Sequence, residues 1–126
     1  MMRPLRYWPW WLALGLAYVA LILWASLTSL PVSTGLFGFD KVQHFLGYFL
    51  LSGWFCALFL RRWHLVILLA AVALGALMEF AQAAGGVRAF ELFDIVANTL
   101  GAAFGFALIG WTALRDVFVR IEQRLG

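Results

Sequence analysis

The chain has 126 residues, of which 65% are hydrophobic and only 12% charged, and its mean hydropathy is +0.94. This composition excludes an ordinary soluble protein and predicts an integral membrane protein with one domain over residues 1–126. The net charge of +3 and the pI near 9.6 do not indicate nucleic acid binding, because the basic residues lie in small groups beside apolar runs. The single cysteine, Cys56, has no partner in the chain, which excludes an internal disulfide and a CxxC metal site.

Four apolar segments each approach the roughly 20 residues that a helix needs to cross a bilayer. Breaks in the pattern separate them at Pro31, at the Arg61–Arg62 pair and at the Gly85–Gly86 pair. The sequence therefore predicts an all-α integral membrane protein, a bundle of four transmembrane helices. A short charged tail at 114–126 is expected to extend the fourth helix. The predicted helices cover residues 8–30, 41–60, 63–84 and 92–113.

The basic residues predict the orientation, because Lys and Arg accumulate in cytoplasmic loops. Lys41 and Arg88 lie on one side of the predicted bundle, and the other seven basic residues lie on the side that holds both termini. Both termini are therefore expected in the cytoplasm, with the first and third connections facing outward. Tryptophans, which prefer the headgroup level, agree with this assignment. Those at the predicted inner boundary are Trp8, Trp10, Trp11, Trp63 and Trp111.

Polar residues within three of the predicted helices recur at helical spacing near the outer end. They comprise Asp40, His44 and Tyr48 on helix two, Glu79 and Gln82 on helix three, and Asp94, Asn98, Gly101 and Gly105 on helix four. A carboxylate that faces lipid is strongly penalised. The three stripes are therefore expected to face one another around an outward-opening polar pocket.

These positions, with Lys41 and Arg88, resemble in order and spacing the VanZ-like family of small bacterial membrane proteins. The resemblance runs from about residue 40 to about residue 110. The family is named for a member associated with resistance to the glycopeptide antibiotic teicoplanin. The resemblance implies a role in the cell envelope, a link to antibiotic resistance and a place in the bacterial cytoplasmic (inner) membrane. Glu91 departs from the pattern, since a small hydroxyl residue is expected in the loop before Asp94.

The resemblance implies that the matched polar residues bind a ligand. They are Asp40, Lys41, His44, Tyr48, Glu79, Gln82, Arg88, Asp94 and Asn98. Arg88 either offers bidentate donors to a phosphate or closes the loop by pairing with Glu79, Glu91 or Asp94. Lys41 either contacts the same anion or extends to the lipid headgroups. Glu79 and Gln82 either bind ligand or join helices through hydrogen bonds.

His44 and Glu79 are the candidates for catalysis. Asp40, one turn from His44, suits an oriented general base, although a structural histidine is the simpler alternative. Ser52 has no GxSxG elbow around it, which argues against serine hydrolysis. One outward histidine with carboxylates is a thin ligand set for zinc, so neither a metal nor another cofactor is expected.

Gly101 and Gly105 form a GxxxG pair, which predicts close helix packing inside the bundle, with a homodimer as the alternative. Three hypotheses of function follow from the sequence. The first is a pocket that binds or modulates an envelope component, either a lipid-linked phosphate or a glycopeptide-like ligand. The second is a membrane-embedded acid–base enzyme acting on an envelope lipid, and the third is a small structural or accessory subunit of an envelope complex. Membrane lipids and such a complex are the expected partners.

Overall fold

A computed structural model describes residues 1–28 and 39–126 of the chain. The α-helices are α1 (Trp8–Leu27), α2 (Phe39–Leu58), α3 (His64–Ala84), α4 (Leu92–Trp111) and α5 (Val117–Leu125). Short 3-10 turns at Arg61–Trp63 and Ala113–Asp116 precede α3 and α5. Within these ranges the one extended pairing is a bridge between Met2 and Phe59, which confirms the all-α prediction. The first predicted connection and the predicted end of helix one, residues 29–38, lie outside the described ranges.

The observed helices match the predicted bounds at Trp8, Ala84 and Leu92, and their other ends differ by one to three residues. α1 ends before Thr28 and α4 before Thr112, both of which have an extended backbone. Each of these threonines donates its hydroxyl to the carbonyl four residues earlier, at 2.7 Å and 2.5 Å respectively. Such a bond gives the backbone an alternative to a continued helix. α2 lies two residues earlier than predicted at both ends, and α3 begins one residue later.

The prediction that the tail extends the fourth helix is wrong. The hydroxyl of Thr112 accepts the Leu114 N–H at 3.2 Å and starts a 3-10 turn, after which α5 is a separate helix. α5 packs back against the start of the chain. Its Phe118, which is 3% exposed, stacks on Trp11 with ring centroids 4.7 Å apart and meets Trp54 edge-on at 4.8 Å.

Glu122 in α5 fixes the same contact through hydrogen bonds. Its carboxylate accepts the backbone N–H groups of Arg6 and Tyr7 at 2.8 Å and 2.9 Å, and the indole N–H of Trp11 at 2.8 Å. Two of these donors precede or begin α1, where backbone N–H groups have no partner within a helix. The C-terminal helix therefore serves as a cap for the first one.

The closest helix contact joins α2 to α4 and depends on small residues. A Cβ atom added at Gly101 would collide with the carbonyl oxygen of Phe45, and one added at Gly105 with that of Phe49. The two helix backbones touch here, as GxxxG pairs allow. Gly53 on α2 lies against Gly105 of α4. The glycine stripe of α4 thus faces α2 of the same chain.

Three helices of the described ranges are long and apolar enough to cross a membrane. They are Trp8–Leu27, Arg61–Ala84 with its leading 3-10 turn, and Leu92–Trp111, with mean hydropathies of 1.9, 2.1 and 1.8. α1 buries only Gly15 and presents apolar side chains on nearly every other side, which is typical of a helix in lipid. α2 has the same length of 20 residues, but the polar residues of its first two turns lower its hydropathy.

Successive helices run in opposite directions, so the molecule has two distinct ends. The start of α2, the end of α3 and the start of α4 share one end, which we term the cluster end. The chain start, the end of α2 and α5 share the other, which we term the arginine end. Two backbone hydrogen bonds hold the start of the chain at this end. They run from Arg3 N–H to Leu58 O at 3.0 Å and from Leu60 N–H to Met1 O at 3.1 Å.

Candidate functional site

Six ionisable residues meet at the cluster end, contributed by α2, by α4 and by the loop between α3 and α4. We term them the charged cluster: Asp40, Lys41, His44, Arg88, Glu91 and Asp94. The first three lie in the first two turns of α2, and Asp94 lies in the first turn of α4. Because α2 and α4 touch through their glycines, the starts of these helices are held side by side. The sequence prediction that the polar stripes of helices two and four face one another matches this arrangement.

Arg88 pairs with Asp40 through two parallel hydrogen bonds. Its terminal nitrogens lie 3.2 Å and 2.8 Å from the two carboxylate oxygens, the fork geometry that guanidinium forms with carboxylate or phosphate. The hydrogen bond that Arg88 donates to Asp40 raises the pKa of Arg88, although burial opposes it. The guanidinium is thus a fixed cation, and its 29% exposed side chain leaves it accessible at the rim of the site.

Lys41 lies between the carboxylates of α4 and of the loop. Its ammonium group donates to Asp94 and, at 2.5 Å, to Glu91, with Asp40 at 3.5 Å. Lys41 therefore belongs to the cluster instead of extending only to lipid headgroups. Asp94 is 1% exposed, so this contact pairs a carboxylate that has almost no access to solvent.

His44 is held between α2 and α4. Its Nδ1 lies 3.0 Å from the Asn98 side-chain oxygen, so that nitrogen carries the hydrogen of the bond. Its Nε2 lies 3.6 Å from both Asp40 and Asp94. The imidazole is oriented by α4, as a general base requires, and its second nitrogen points to the charged cluster.

Glu79, Gln82 and Tyr48 lie below or beside the cluster. One oxygen of Glu79 accepts the Glu91 backbone N–H at 2.8 Å, while its second oxygen is buried and has no hydrogen bond to the described part of the chain. Gln82 donates to the Ser26 carbonyl at 2.8 Å and so joins α3 to α1. The Tyr48 hydroxyl is buried and has no hydrogen-bond partner within residues 1–28 and 39–126. Of the three, only Glu79 is linked to the cluster, through Glu91.

Comparisons with known proteins give the family of this chain. Residues 15–113 match the family model described as VanZ/LLP1, a range that includes the whole charged cluster and most of the chain. The chain belongs to the VanZ/LLP1 family. An uncharacterised protein of Schizosaccharomyces pombe is 42% identical over 73 residues, which cover 55% of this chain and 45% of that protein. The aligned part therefore spans less than half of the yeast relative. No solved structure matches the chain.

Glu91 is a member of the charged cluster that the sequence does not predict as a site residue, because it departs from the VanZ-like pattern. In the structure Glu91 has two roles, since its carboxylate binds Lys41 and its N–H holds Glu79. One signal in the sequence indicates this placement. Glu91 lies three residues before Asp94, and it directly precedes α4, a position that places it on the same side as Asp94.

Three side chains of the VanZ/LLP1 site have the chemistry of metal ligands. Asp40, His44 and Asp94 offer ligand atoms within 4.8 Å of one another. Lys41 and Arg88 already neutralise both carboxylates, so an ion would have to displace two fixed cations.

Proposed function

We propose that this VanZ/LLP1 membrane protein binds a lipid-linked phosphate of the cell envelope at its charged cluster. The observation that carries the proposal is the bidentate pair of Arg88 with Asp40 at the rim of the site. A phosphate presents oxygens in the same fork geometry as a carboxylate. On binding, it would take the place of Asp40 on a guanidinium that is already oriented.

The balance of charge narrows the ligand class. The cluster holds the carboxylates of Asp40, Glu91 and Asp94 against the cations of Lys41 and Arg88, and Glu79 lies beneath them. A simple anion that binds Lys41 or Arg88 has no hydrogen to donate in return. It would leave these carboxylates without hydrogen-bond donors, which is costly in a partly buried site. A phosphate that carries a sugar also supplies hydroxyl donors. A lipid-linked sugar phosphate therefore complements the cluster better than a bare phosphate.

A glycopeptide-like ligand and a link to antibiotic resistance have less support than a lipid phosphate. A protein similar to part of this chain occurs in the yeast Schizosaccharomyces pombe. Lipid-linked phosphates are a ligand class that a bacterial and a yeast membrane share. We accordingly base the proposed role in the cell envelope on the lipid.

Lipid retention by purified protein tests this function. Wild type, Arg88→Gln and the control Arg124→Gln, which changes an exposed arginine of α5, would be extracted from vesicles containing a polyprenyl phosphate sugar and analysed by native mass spectrometry. We expect Arg88→Gln to retain at least about tenfold less lipid, since hydrogen bonds to charged groups contribute roughly 1.5–3 kcal/mol. Equal retention by wild type and Arg88→Gln at equal thermal stability would refute the proposal.

The orientation of His44 favours a second candidate, an acid–base enzyme acting on the same lipid. Nδ1 is bound by Asn98, which leaves Nε2 to accept a proton from a hydroxyl of the bound ligand. His44→Gln would then abolish turnover while lipid retention stays at the wild-type level. Turnover that persists in this variant would eliminate His44 as the base. If Arg88→Gln and His44→Gln both lose lipid retention and thermal stability together, the result would instead support the structural-subunit hypothesis.

We further propose that α1 to α4 all cross the bilayer, with both termini in the cytoplasm and the charged cluster facing outward. In a Cys56→Ser background, Ala89→Cys in the loop before α4 should react with a membrane-impermeant maleimide in intact cells. Gln123→Cys in α5 should react only after permeabilisation. The reverse pattern would place the cluster on the cytoplasmic side.

A further inference from the structure

A groove with a different character lies at the arginine end, away from the charged cluster. It consists of two adjoining cavities of about 150 Å³ and about 430 Å³. Both are lined by Arg61, Gly110, Arg115 and Asp116, and the smaller one also by Arg3. We term this the arginine groove. Its volume accommodates a small polar group together with part of an apolar chain.

The lining of the arginine groove carries an excess of positive charge. Arg3 pairs with Asp116 and also donates to the carbonyl oxygen of Arg115. The Arg115 guanidinium is only 3.6 Å from the other oxygen of Asp116 and is 54% exposed. Arg61 forms no ion pair within residues 1–28 and 39–126. Three arginines thus line the groove beside one carboxylate, so an anion would be attracted here.

Apolar side chains border the same groove. Phe59 and Leu60 line the smaller cavity, and Trp111, which is 74% exposed at the end of α4, lines the larger one. Trp at the end of a membrane helix prefers the level of the lipid headgroups. A ligand that fits both kinds of surface has a negatively charged head and a hydrocarbon part.

We infer that the arginine groove binds the phosphate group of an anionic phospholipid. The planar guanidinium groups of Arg61 and Arg115 suit phosphate oxygens, and basic pockets between membrane helices are known sites for anionic headgroups. This site is separate from the proposed envelope site, because it lies at the opposite end of the helices and shares no residue with it. Variants in one site therefore leave the other intact.

A lipid competition experiment tests the inference. Full-length protein would be reconstituted in phosphatidylcholine vesicles with or without phosphatidylglycerol, and the lipids that remain after mild extraction would be identified by native mass spectrometry. The variants are Arg61→Gln, Arg115→Gln and the double variant. Arg115→Gln leaves the backbone carbonyl that Arg3 contacts. The matched control is Arg62→Gln, because Arg62 is exposed beside Arg61 but lines neither cavity.

We expect wild type and Arg62→Gln to retain phosphatidylglycerol in preference to phosphatidylcholine. Each groove variant should lower that preference about fivefold, the equivalent of about 1 kcal/mol per arginine, and the double variant should abolish it. An equal loss in Arg62→Gln would mean that general surface charge is responsible and would overturn the inference. Absence of any preference in wild type would do the same.

The source of the phosphate is tested in a second arm with inorganic phosphate and no anionic lipid. Inorganic phosphate that binds wild type as tightly as phosphatidylglycerol, and is lost with Arg61→Gln, would overturn the lipid assignment in favour of a soluble anion. Weak or absent binding of inorganic phosphate supports the lipid, because the apolar wall then contributes to affinity. Thermal stability of each variant at wild-type level ensures that the comparison reports binding.

Discussion

Asp94 and Glu91 bind the same ammonium group, that of Lys41, from different environments. The Asp94 side chain is 1% exposed and that of Glu91 is 49% exposed. Removing one partner of a buried pair leaves a charge without compensation, whereas exposed pairs contribute little. The two residues thus offer a matched comparison of burial within one ion-pair network.

We expect Asp94→Asn to lower the free energy of unfolding by about 2–3 kcal/mol, somewhat less than for a fully enclosed pair because Lys41 is 32% exposed. Glu91→Gln should cost less than about 1 kcal/mol, since Gln keeps the backbone N–H that Glu79 accepts. Denaturation in mild detergent measures both. Similar losses in the two variants would show that burial does not distinguish these contacts.

Helical spacing predicted most of the residues at the site but not their pairing. The sequence predicts that Arg88 either pairs with Glu79, Glu91 or Asp94 or binds a phosphate. In the structure its bidentate partner is Asp40, which is 48 positions away on α2, and Asp94 lies 3.8 Å from it. Spacing places residues on one face of a helix, but the rotation of α2 against α4 decides which faces meet. Gln82 illustrates the same limit, because its partner is a backbone carbonyl of α1 that no side-chain pattern can indicate.

The contact between α2 and α4 depends on the absence of a side chain at Gly101. Gly101→Ala would place a methyl group on the Phe45 carbonyl oxygen and force the helices apart. We expect the free energy of unfolding to fall by about 3 kcal/mol, as for other overpacked cores. Gly110→Ala is the control, because nothing lies within 4 Å of the added atom and Ala favours the helix by up to about 1 kcal/mol.

Thermal unfolding of the two variants in detergent measures the difference. A Gly101→Ala protein that is as stable as the Gly110→Ala protein would mean that the helices adjust without cost. The charged cluster gives a second readout, since separation of α2 from α4 would also weaken the contact between Lys41 and Asp94.

At the level of elements, hydropathy predicted four helices close to their observed positions, and it failed where a hydroxyl intervenes. The apolar and amphipathic pattern continues across Thr112, so the tail was predicted as more of helix four. The Thr112 hydroxyl donates to the Leu108 carbonyl and accepts the Leu114 N–H. These hydrogen bonds end α4 and begin the 3-10 turn. Local hydrogen bonds of this kind leave no periodic signal in the sequence.

The start and the end of the chain form one unit at the arginine end, and acid should loosen it. The hydrogen bond from Arg3 lowers the pKa of Asp116. Burial alone would raise the pKa of Glu122, but hydrogen bonds from Tyr7, Trp11 and Arg6 outweigh it and lower the pKa. Carboxyl groups with lowered pKa values stabilise the folded state above their ordinary pKa, and this contribution is lost as the pH falls through the lowered value.

Docking of α5 should therefore be constant near neutral pH and weaken below about pH 4, the ordinary range of carboxyl groups. Hydrogen exchange of residues 117–125, corrected for the intrinsic effect of pH, measures it. Glu122→Gln should show faster exchange already at neutral pH, and Gln123→Glu, a change at an exposed neighbour, should not. Exchange in wild type that does not change with acid would mean that the Phe118 stack alone holds α5.

The composition of the whole molecule predicted a membrane protein, and its pattern of arginines predicted two unlike ends. The pairing of the first and last segments was not predictable, because a single glutamate collects three donors from residues more than 110 positions away. These contacts form because the chain returns to the arginine end after the four helices α1 to α4. They follow from topology and not from local sequence.

The polar first turns of α2 have a consequence for how the protein is made. Asp40 and Lys41 leave the ribosome long before Arg88 and Asp94, the residues that neutralise them. Under the proposed topology of four spans, α2 therefore emerges as a membrane segment whose Asp40 and Lys41 still lack these partners. On that topology we expect its stable insertion to wait for the hairpin of α3 and α4. A ribosome-bound chain that ends after α3 should accordingly hold α2 at the insertion machinery rather than in the lipid.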